Sequence, residues 1–400
     1  MTQLQQTDVL APHRAALAGP EPEPVRLCFA AAHVVLQPGY AHASHSMAQP
    51  GSGAEIAQFV DWDATMGIRR FLDANGFGIA EAMDTAQRFA LGWASAQQLI
   101  TRCGRLGLRN GFVAGAGTDH LDKVRGTADL VDGVVHQVRF IQQAGGWPMI
   151  LPMPWLTLNG ATEDQYVDVY GSVLRQVEGP VFLHWLGEMF LPVLKGYFPG
   201  RSFERILALD PAKVRGCKLS LLDDAMELRV RRELLPRDQV VLTGDDFHFG
   251  RLILGGDPQG PAPTRPPVVE RHVTIGNRRV AVGDFSHALL GILDGIAIPA
   301  GLALRHLARG DARRFLDIMT PCEALGRHVF CAPTQHYKAG LAFLSWLNGL
   351  QSNPMLVNRE DRCRDAAHYT ECAQLSVACG ALGDIALAQQ RLNAFLGGKA

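Results

Sequence analysis

Charge is sparse in this sequence. Only 19% of its 400 residues are Asp, Glu, Lys or Arg, and the formal net charge is −1. With a pI near 6.9, it has no basic face of the kind that binds nucleic acid or an anionic membrane surface. Long apolar runs are missing too, since none approaches the roughly 18 residues of a membrane span. The opening MTQLQQTDVLAPHRAALAGPEPEPVR has no basic start followed by an apolar stretch, so no signal peptide is read. The eight cysteines (28, 103, 217, 322, 331, 363, 372 and 379) form no CxxC pair. Free thiols in a reducing cytoplasm are expected, with Cys28 and Cys217 acting as small hydrophobes inside strands.

Apolar material is plentiful: 47% of residues are hydrophobic and the mean hydropathy is +0.03, enough for a large core. Residues 1–24, rich in Pro, Ala and Glu, read as a loosely held tail or arm. From Val25 onward eight short apolar runs alternate with helical patterns: 25–35, 76–83, 111–118, 146–155, 180–189, 216–223, 239–247 and 287–293. Residues 64–75 and 164–177 show the clearest helical spacing. Near-continuous apolar strands separated by helices imply a parallel sheet covered on both faces. Eight such units predict an α/β fold, a (β/α)8 TIM barrel over residues 25–300, with a C-terminal helical region over 301–400 packed on it. That region holds an apolar stretch, Ala339–Leu350, and an amphipathic finish around Leu382–Leu396, and Pro299, Pro321 and Pro333 punctuate its helices. Residues 255–283 break the rhythm. They are rich in Gly and Pro and end in VTI-GN-RRVAV, a hairpin turning at Gly276–Asn277. This insertion is expected between strands seven and eight, on the face where barrels carry their sites, as a lid or an oligomer contact.

The stretch Val214–Asp223, VRGCKLSLLD, sets Lys218 in the middle of an apolar strand. Burying an ammonium costs several kcal/mol unless it is paired or loses its proton. A neutral, desolvated lysine is also the amine that forms a Schiff base with a carbonyl. A lysine paired to a barrel carboxylate is the plainer reading. Polar residues at strand C-terminal ends converge on one mouth of a barrel. They are His33, Glu81, Asp84, Thr118, Asp119, His184, Glu188, Lys218, Ser220, Asp223, Asp245, Asp246, His248 and His287. Alternation places Lys218 and Ser220 on one face and Cys217, Leu219 and Leu221 on the other, so the polar face should point inward. His184 and Glu188 share parity, as do Ile79, Glu81 and Met83. His184, one strand from Lys218, suits proton shuttling because imidazole titrates near neutrality. The Asp245–Asp246 pair serves as acid/base site, metal ligand or loop cap.

The order of these features resembles the dihydrodipicolinate synthase / N-acetylneuraminate lyase superfamily of class I aldolases. The family's Schiff-base lysine lies on strand six in a G-x-K context, matched by Gly216-Cys217-Lys218. Its strand seven ends in a G-D-D-like turn, matched by Gly244-Asp245-Asp246. A proline-containing stretch then leads to a lysine, matched by Ala332-Pro333 through Lys338. The segments WDAT…AEAMDTAQR and HWLGEMF look closer still to a bacterial synthase-like branch. The resemblance covers residues 25–350 and implies covalent lysine chemistry with no cofactor, and a homodimer or homotetramer.

Two departures narrow what it implies. Where the family holds a G-T-T-G-E-like turn for a keto-acid carboxylate, this chain has Glu81-Ala82-Met83-Asp84-Thr85, with two hydroxyls lost and two carboxylates nearby. Like charges repel, so a pyruvate-type donor is disfavoured. The strand-five tyrosine of the family is replaced by His184.

Three readings follow. The first is a Schiff-base lyase, an aldolase, retro-aldolase or dehydratase acting on a small neutral or cationic carbonyl compound. Here Lys218, His184, Glu81 and Asp245 are catalytic, and Asp84, Thr118, Ser220, Asp246 and His287 bind substrate. The second is a metal-dependent barrel enzyme holding a divalent ion through His33, Glu81, His184, Glu188, Asp245 and His248, although no HxH or HExxH spacing is present. The third is a ligand-binding barrel without catalysis.

Overall fold

The computed structural model describes residues 3–397 apart from 6, 18 and 21. Its centre is a closed barrel of eight parallel strands. In chain order these are β1 (Cys28–Ala31), β2 (Gly78–Glu81), β3 (Phe112–Ala116), β4 (Trp147–Ile150), β5 (Val181–Leu186), β6 (Val214–Ser220), β7 (Val240–Thr243) and β10 (His287–Leu290). β10 closes the barrel by pairing with both β7 and β1. Each apolar run read from the sequence meets one of these strands.

The runs are continuous because both strand faces are buried. Phe29, Ala80, Val113, Met149, Phe182, Leu242 and Leu289 fill the interior. Cys28, Ile79, Ala114, Leu183, Cys217 and Val241 pack under the helices. All eight cysteines are free thiols, and Cys28 and Cys217 are buried in strands. Covering helices follow each strand, among them Trp62–Ala74 after β1, Arg88–Gly104 after β2, Asp224–Leu234 after β6 and Ala297–Ala308 after β10. Their starts are set by local chemistry: Asp61 accepts from the Ala64 amide at 3.0 Å and Asp223 from that of Met226 at 2.9 Å. Among the described residues no helix is long and apolar enough to cross a membrane.

The hairpin forms as read, with β8 (Arg271–Ile275) antiparallel to β9 (Arg278–Val282) and Gly276–Asn277 at the turn. Its position corrects the expectation. It packs at the N-terminal end of the barrel, opposite the mouth, where Ile275, Val280 and Val282 join the interior cluster with Phe29. The Arg278 guanidinium lies over the Trp147 ring at the start of β4. Topology explains this placement. In a parallel barrel, chain running from a helix into the next strand lies at the N-terminal end, and the insertion precedes β10.

Beyond the barrel, helices Ala312–Val329, Lys338–Leu347, Ala366–Ala378 and Ile385–Leu396 pack against its flank. The segment linking the first two reaches across the mouth. Tyr337 contacts Thr85 after β2, Phe190 after β5 and the backbone at Gly291 after β10. Within residues 1–24, expected as a loosely held tail or arm, most described side chains are exposed and a few contact the C-terminal helices. Leu4 and Leu10 are buried, the Leu4 amide donates to Gln389 Oε1 at 2.7 Å, and His306 Nε2 donates to the His13 carbonyl at 3.1 Å.

Candidate active site

The site grows from GCK on β6. A Cβ at Gly216 would overlap the Val240 carbonyl, so glycine lets β6 and β7 approach at the point where their pairing begins. Two residues on, alternation turns Lys218 into the barrel, with Ser220 on the same face as parity requires. Lys218 pairs in register with His184 of β5. Gly244 at the end of β7 leaves room for the lysine, since a Cβ there would sit 2.8 Å from Lys218 Cε and overlap Ser220 Oγ.

Lys218 keeps only 9% of its accessible surface, so the amine is desolvated. Burial pushes its pKa down to about 8, against the opposing pull of the Asp246 and Asp84 carboxylates. Asp246 is its counterpart. Burial pushes that carboxyl up to about 7, although it accepts a hydrogen bond from the Ile292 amide at 2.9 Å and faces the lysine. His184 bonds Ser220 Oγ through Nε2 at 3.1 Å, and its Nδ1 is buried without a partner. Burial, with the Lys218 charge beside it, holds this imidazole well below its usual pKa and therefore neutral.

Three expected carboxylate roles change. Asp245, read as the catalytic member of its pair, turns away and closes the loop after β7. It accepts from the Phe247 amide at 2.8 Å, the His248 amide at 3.1 Å and His248 Nδ1 at 2.9 Å. Its neighbour Asp246 faces Lys218. Glu81 shares the outward face of β2 with Ile79 and is locked to Arg69 of the helix Trp62–Ala74 by two bonds of 2.9 Å. Both side chains are fully buried, which takes Glu81 out of proton transfer. Asp84 is at the mouth, but paired to Lys338 at 3.1 Å instead of standing as free negative charge.

Other candidates lie elsewhere. His287, on the first residue of β10, is at the hairpin end. Its Nδ1 accepts from the Leu27 amide at 2.8 Å and its Nε2 donates to the Ala281 carbonyl at 2.9 Å, so it binds no substrate at the mouth. Thr118 turns its methyl toward Gly133 on a covering helix. Asp119 is clamped by Arg88 at 2.8 and 3.0 Å. His33 is buried between Asp294 and Gln351, and Glu188 is exposed. The metal set His33, Glu81, His184, Glu188, Asp245 and His248 is thus dispersed among separate partners. Among the described residues the one His/Cys/Asp/Glu group close enough to share an ion is a different one, His328, His368 and Cys372.

Tyr337 and Glu360, which the sequence did not single out, complete the mouth with Thr85 and Lys338. Thr85 Oγ1 and the Tyr337 hydroxyl are 2.7 Å apart, and Tyr337 donates to Asp84 Oδ2 at 3.1 Å. Lys338 also faces Glu360 at 3.6 Å, and Glu360 accepts from Gln87 at 2.7 Å and from His336 at 3.0 Å. Burial and the nearby carboxylates raise the Tyr337 pKa well above normal, while Asp84 and Glu360 raise that of Lys338. The available signal was a lone tyrosine beside Lys338, at the start of an otherwise apolar helix.

Several solved structures share this architecture. A prophage protein of the dihydrodipicolinic acid synthase family from E. coli K12, solved with pyruvate, superposes with TM-score 0.55 at 15% identity, covering 86% of this chain and 98% of its own. Dihydrodipicolinate synthase from Agrobacterium tumefaciens gives 0.52 at 12%, over 88% and 99%. A variant 2-keto-3-deoxygluconate aldolase from Sulfolobus solfataricus gives 0.52 at 11%, over 91% and 100%. At these identities the likeness is one of fold. No curated protein matches the sequence. The family model described as Protein of unknown function (DUF993) matches residues 2–399, and the chain belongs to that family.

Proposed function

We propose that the protein is a lyase of the class I aldolase type that forms an imine through Lys218 with a small, neutral, hydroxyl-bearing carbonyl compound. The observation that carries this reading is the amine itself. It is inside the barrel and desolvated, with its pKa lowered to about 8 and a carboxyl of raised pKa facing it. The shared fold with imine-forming aldolases supports it as an analogy.

The neutral Lys218 amine attacks the carbonyl carbon. Asp246, protonated in part near neutrality, supplies the proton that lets the carbinolamine oxygen leave as water. The resulting iminium accepts the electron pair released when a neighbouring C–C bond breaks or a C–H bond next to it is deprotonated; in a dehydratase the enamine so formed then expels a protonated β-hydroxyl as water. Tyr337, held by Thr85 and Asp84, is the group placed to move a proton at a substrate hydroxyl. His184 Nδ1 is a buried polar atom without a partner, a state costing about 1–3 kcal/mol, and a substrate hydroxyl satisfies it. The two lysines facing this site already face carboxylates: Lys218 faces Asp246 and Asp84, and Lys338 faces Asp84 and Glu360. Neither lysine therefore offers an unpaired positive charge to a substrate carboxylate, which favours an uncharged substrate.

The test is borohydride trapping. The protein is incubated with a panel of aldehydes, ketoses and keto acids including pyruvate, reduced, and mapped by mass spectrometry. An adduct on Lys218 with a neutral polyol carbonyl, absent in Lys218→Ala, is expected. A Lys218→Ala variant that keeps full activity on the trapped compound would overturn the reading, and a pyruvate adduct would overturn its substrate class.

A further inference from the structure

On the flank away from the barrel interior, two helices bring three metal-ligand side chains together, with Cys331 beside them. His328 lies in the last turn of Ala312–Val329, and Cys331 follows just beyond it. His368 lies in the first turn of Ala366–Ala378, with Cys372 one turn later. The ligand atoms of His328, His368 and Cys372 all lie within 4.8 Å of one another. His368 Nε2 is 3.6 Å from Cys372 Sγ, and its Nδ1 is 3.9 Å from Cys331 Sγ.

These spacings suit a metal better than they suit hydrogen bonds. In a tetrahedral zinc site, bonds of ~2.0–2.1 Å to nitrogen and ~2.3 Å to sulfur place neighbouring ligand atoms roughly 3.3–3.8 Å apart. The His368–Cys372 pair is already at that spacing. His328 is prepared in the manner usual for a ligand. Its Nε2 donates to the His368 carbonyl at 2.9 Å, which fixes the tautomer and leaves the Nδ1 lone pair free to coordinate. The two rings stack at 4.4 Å and 21°.

We propose that this cluster binds a thiolate-preferring divalent metal of the zinc class through His328, His368 and Cys372, with Cys331 beside it. The bound ion would tie the end of one helix to the start of the other. It would do so at the foot of the segment 331–338, which Arg364 already holds by bonds to the Cys331 and Pro333 carbonyls at 2.7 and 2.9 Å. That segment carries Tyr337 and Lys338 to the mouth, so the role is structural and the ion itself takes no part in the Lys218 chemistry.

The full chain, stripped with chelator and reduced, is titrated with Co²⁺ as a spectroscopic probe. Expected are a thiolate-to-cobalt charge-transfer band and tetrahedral ligand-field bands, saturating at one equivalent and bleached by Zn²⁺. Zn²⁺ should also raise Tm by at least about 3 °C. Cys372→Ser should abolish the charge-transfer band, and the half-buried His328→Gln should weaken binding at least about tenfold while circular dichroism stays native. Cys363→Ser, outside the cluster, should leave the band unchanged. Absence of the band in the folded wild-type protein, or its survival in Cys372→Ser, overturns the proposal. Both readouts are independent of carbonyl trapping.

Discussion

The Asp84 carboxylate and the Lys338 amine meet at 3.1 Å across 254 residues of chain, and the Tyr337 hydroxyl donates to the same Asp84 oxygen at 3.1 Å. This contact binds the loop after β2 to the segment crossing the mouth and sets the tyrosine over the barrel. If Tyr337 moves protons and does not hold the imine, Tyr337→Phe should lower kcat by about 10²–10⁴-fold. Borohydride adducts on Lys218 should persist. Loss of trapping together with turnover would show that the hydroxyl shapes the lysine instead.

The pH dependence of imine formation follows from the lysine. Its pKa is lowered to about 8, and only the neutral amine attacks, so the trapping rate should climb on the acid limb as the amine loses its proton and fall at higher pH as Asp246, raised to about 7, loses the proton it supplies. The Asp246 carboxylate holds the lysine pKa up. Asp246→Asn should therefore move the midpoint to lower pH while slowing dehydration of the carbinolamine. A pH–rate profile of trapping, run on both proteins, reads the shift, and an upward shift contradicts the assigned pairing.

Gly244 carries a steric prediction. Gly244→Ala places a methyl 2.8 Å from Lys218 Cε, and overpacking of this kind costs about 1–3 kcal/mol. The larger effect should fall on chemistry, with trapping down by about tenfold or more as the amine is displaced, equivalent to ~1.4 kcal/mol in the barrier. Thermal melts and adduct yields measured together separate the two.

The Arg69–Glu81 pair is predicted to be structural. Breaking a fully buried ion pair by removing one partner typically costs about 3–5 kcal/mol. Glu81→Gln should lose stability on that scale in denaturant melts, while the folded fraction still forms the Lys218 adduct. A stable Glu81→Gln protein without trapping activity would return Glu81 to the chemistry.

Glu227, on the helix after β6, is buried, and its carboxyl accepts from Ser286 Oγ at 2.6 Å. Burial pushes its pKa up to about 8 from an ordinary 4.5. The folded state therefore holds a proton that the unfolded chain releases. This stabilisation is complete below about pH 4.5 and is lost as pH rises through about 8, at roughly 1.4 kcal/mol per unit between. Glu227→Gln keeps the bonding and removes the proton, so it should flatten that part of the stability–pH curve. An unchanged slope would place its origin in other groups.

Much of this was legible in one dimension. Lys218 and Ser220 face inward because side chains alternate along a strand, and the eight runs are apolar throughout because helices cover their outer face. The same parity, which groups Glu81 with Ile79, already carried the sign that Glu81 faces the helices, but its meaning depends on which face is outside. His287 reads as a mouth residue only if the direction of β10 is ignored. It opens that strand, and strand openings lie at the opposite end.

What the sequence by itself determined is therefore local: the strands, the hairpin turn at Gly276–Asn277 and a lysine turned into the barrel. Only the tertiary structure decided that Asp246 and not Asp245 faces that lysine. It likewise decided that Arg69 neutralises Glu81, that Tyr337 and Lys338 close the mouth, and that the hairpin plugs the far end. Backbone alternation and turn chemistry act over two to four residues and can be read along the chain. Charge pairing acts between groups that packing brings together from distant positions, 254 apart for Asp84 and Lys338, and no local pattern records which partner arrives.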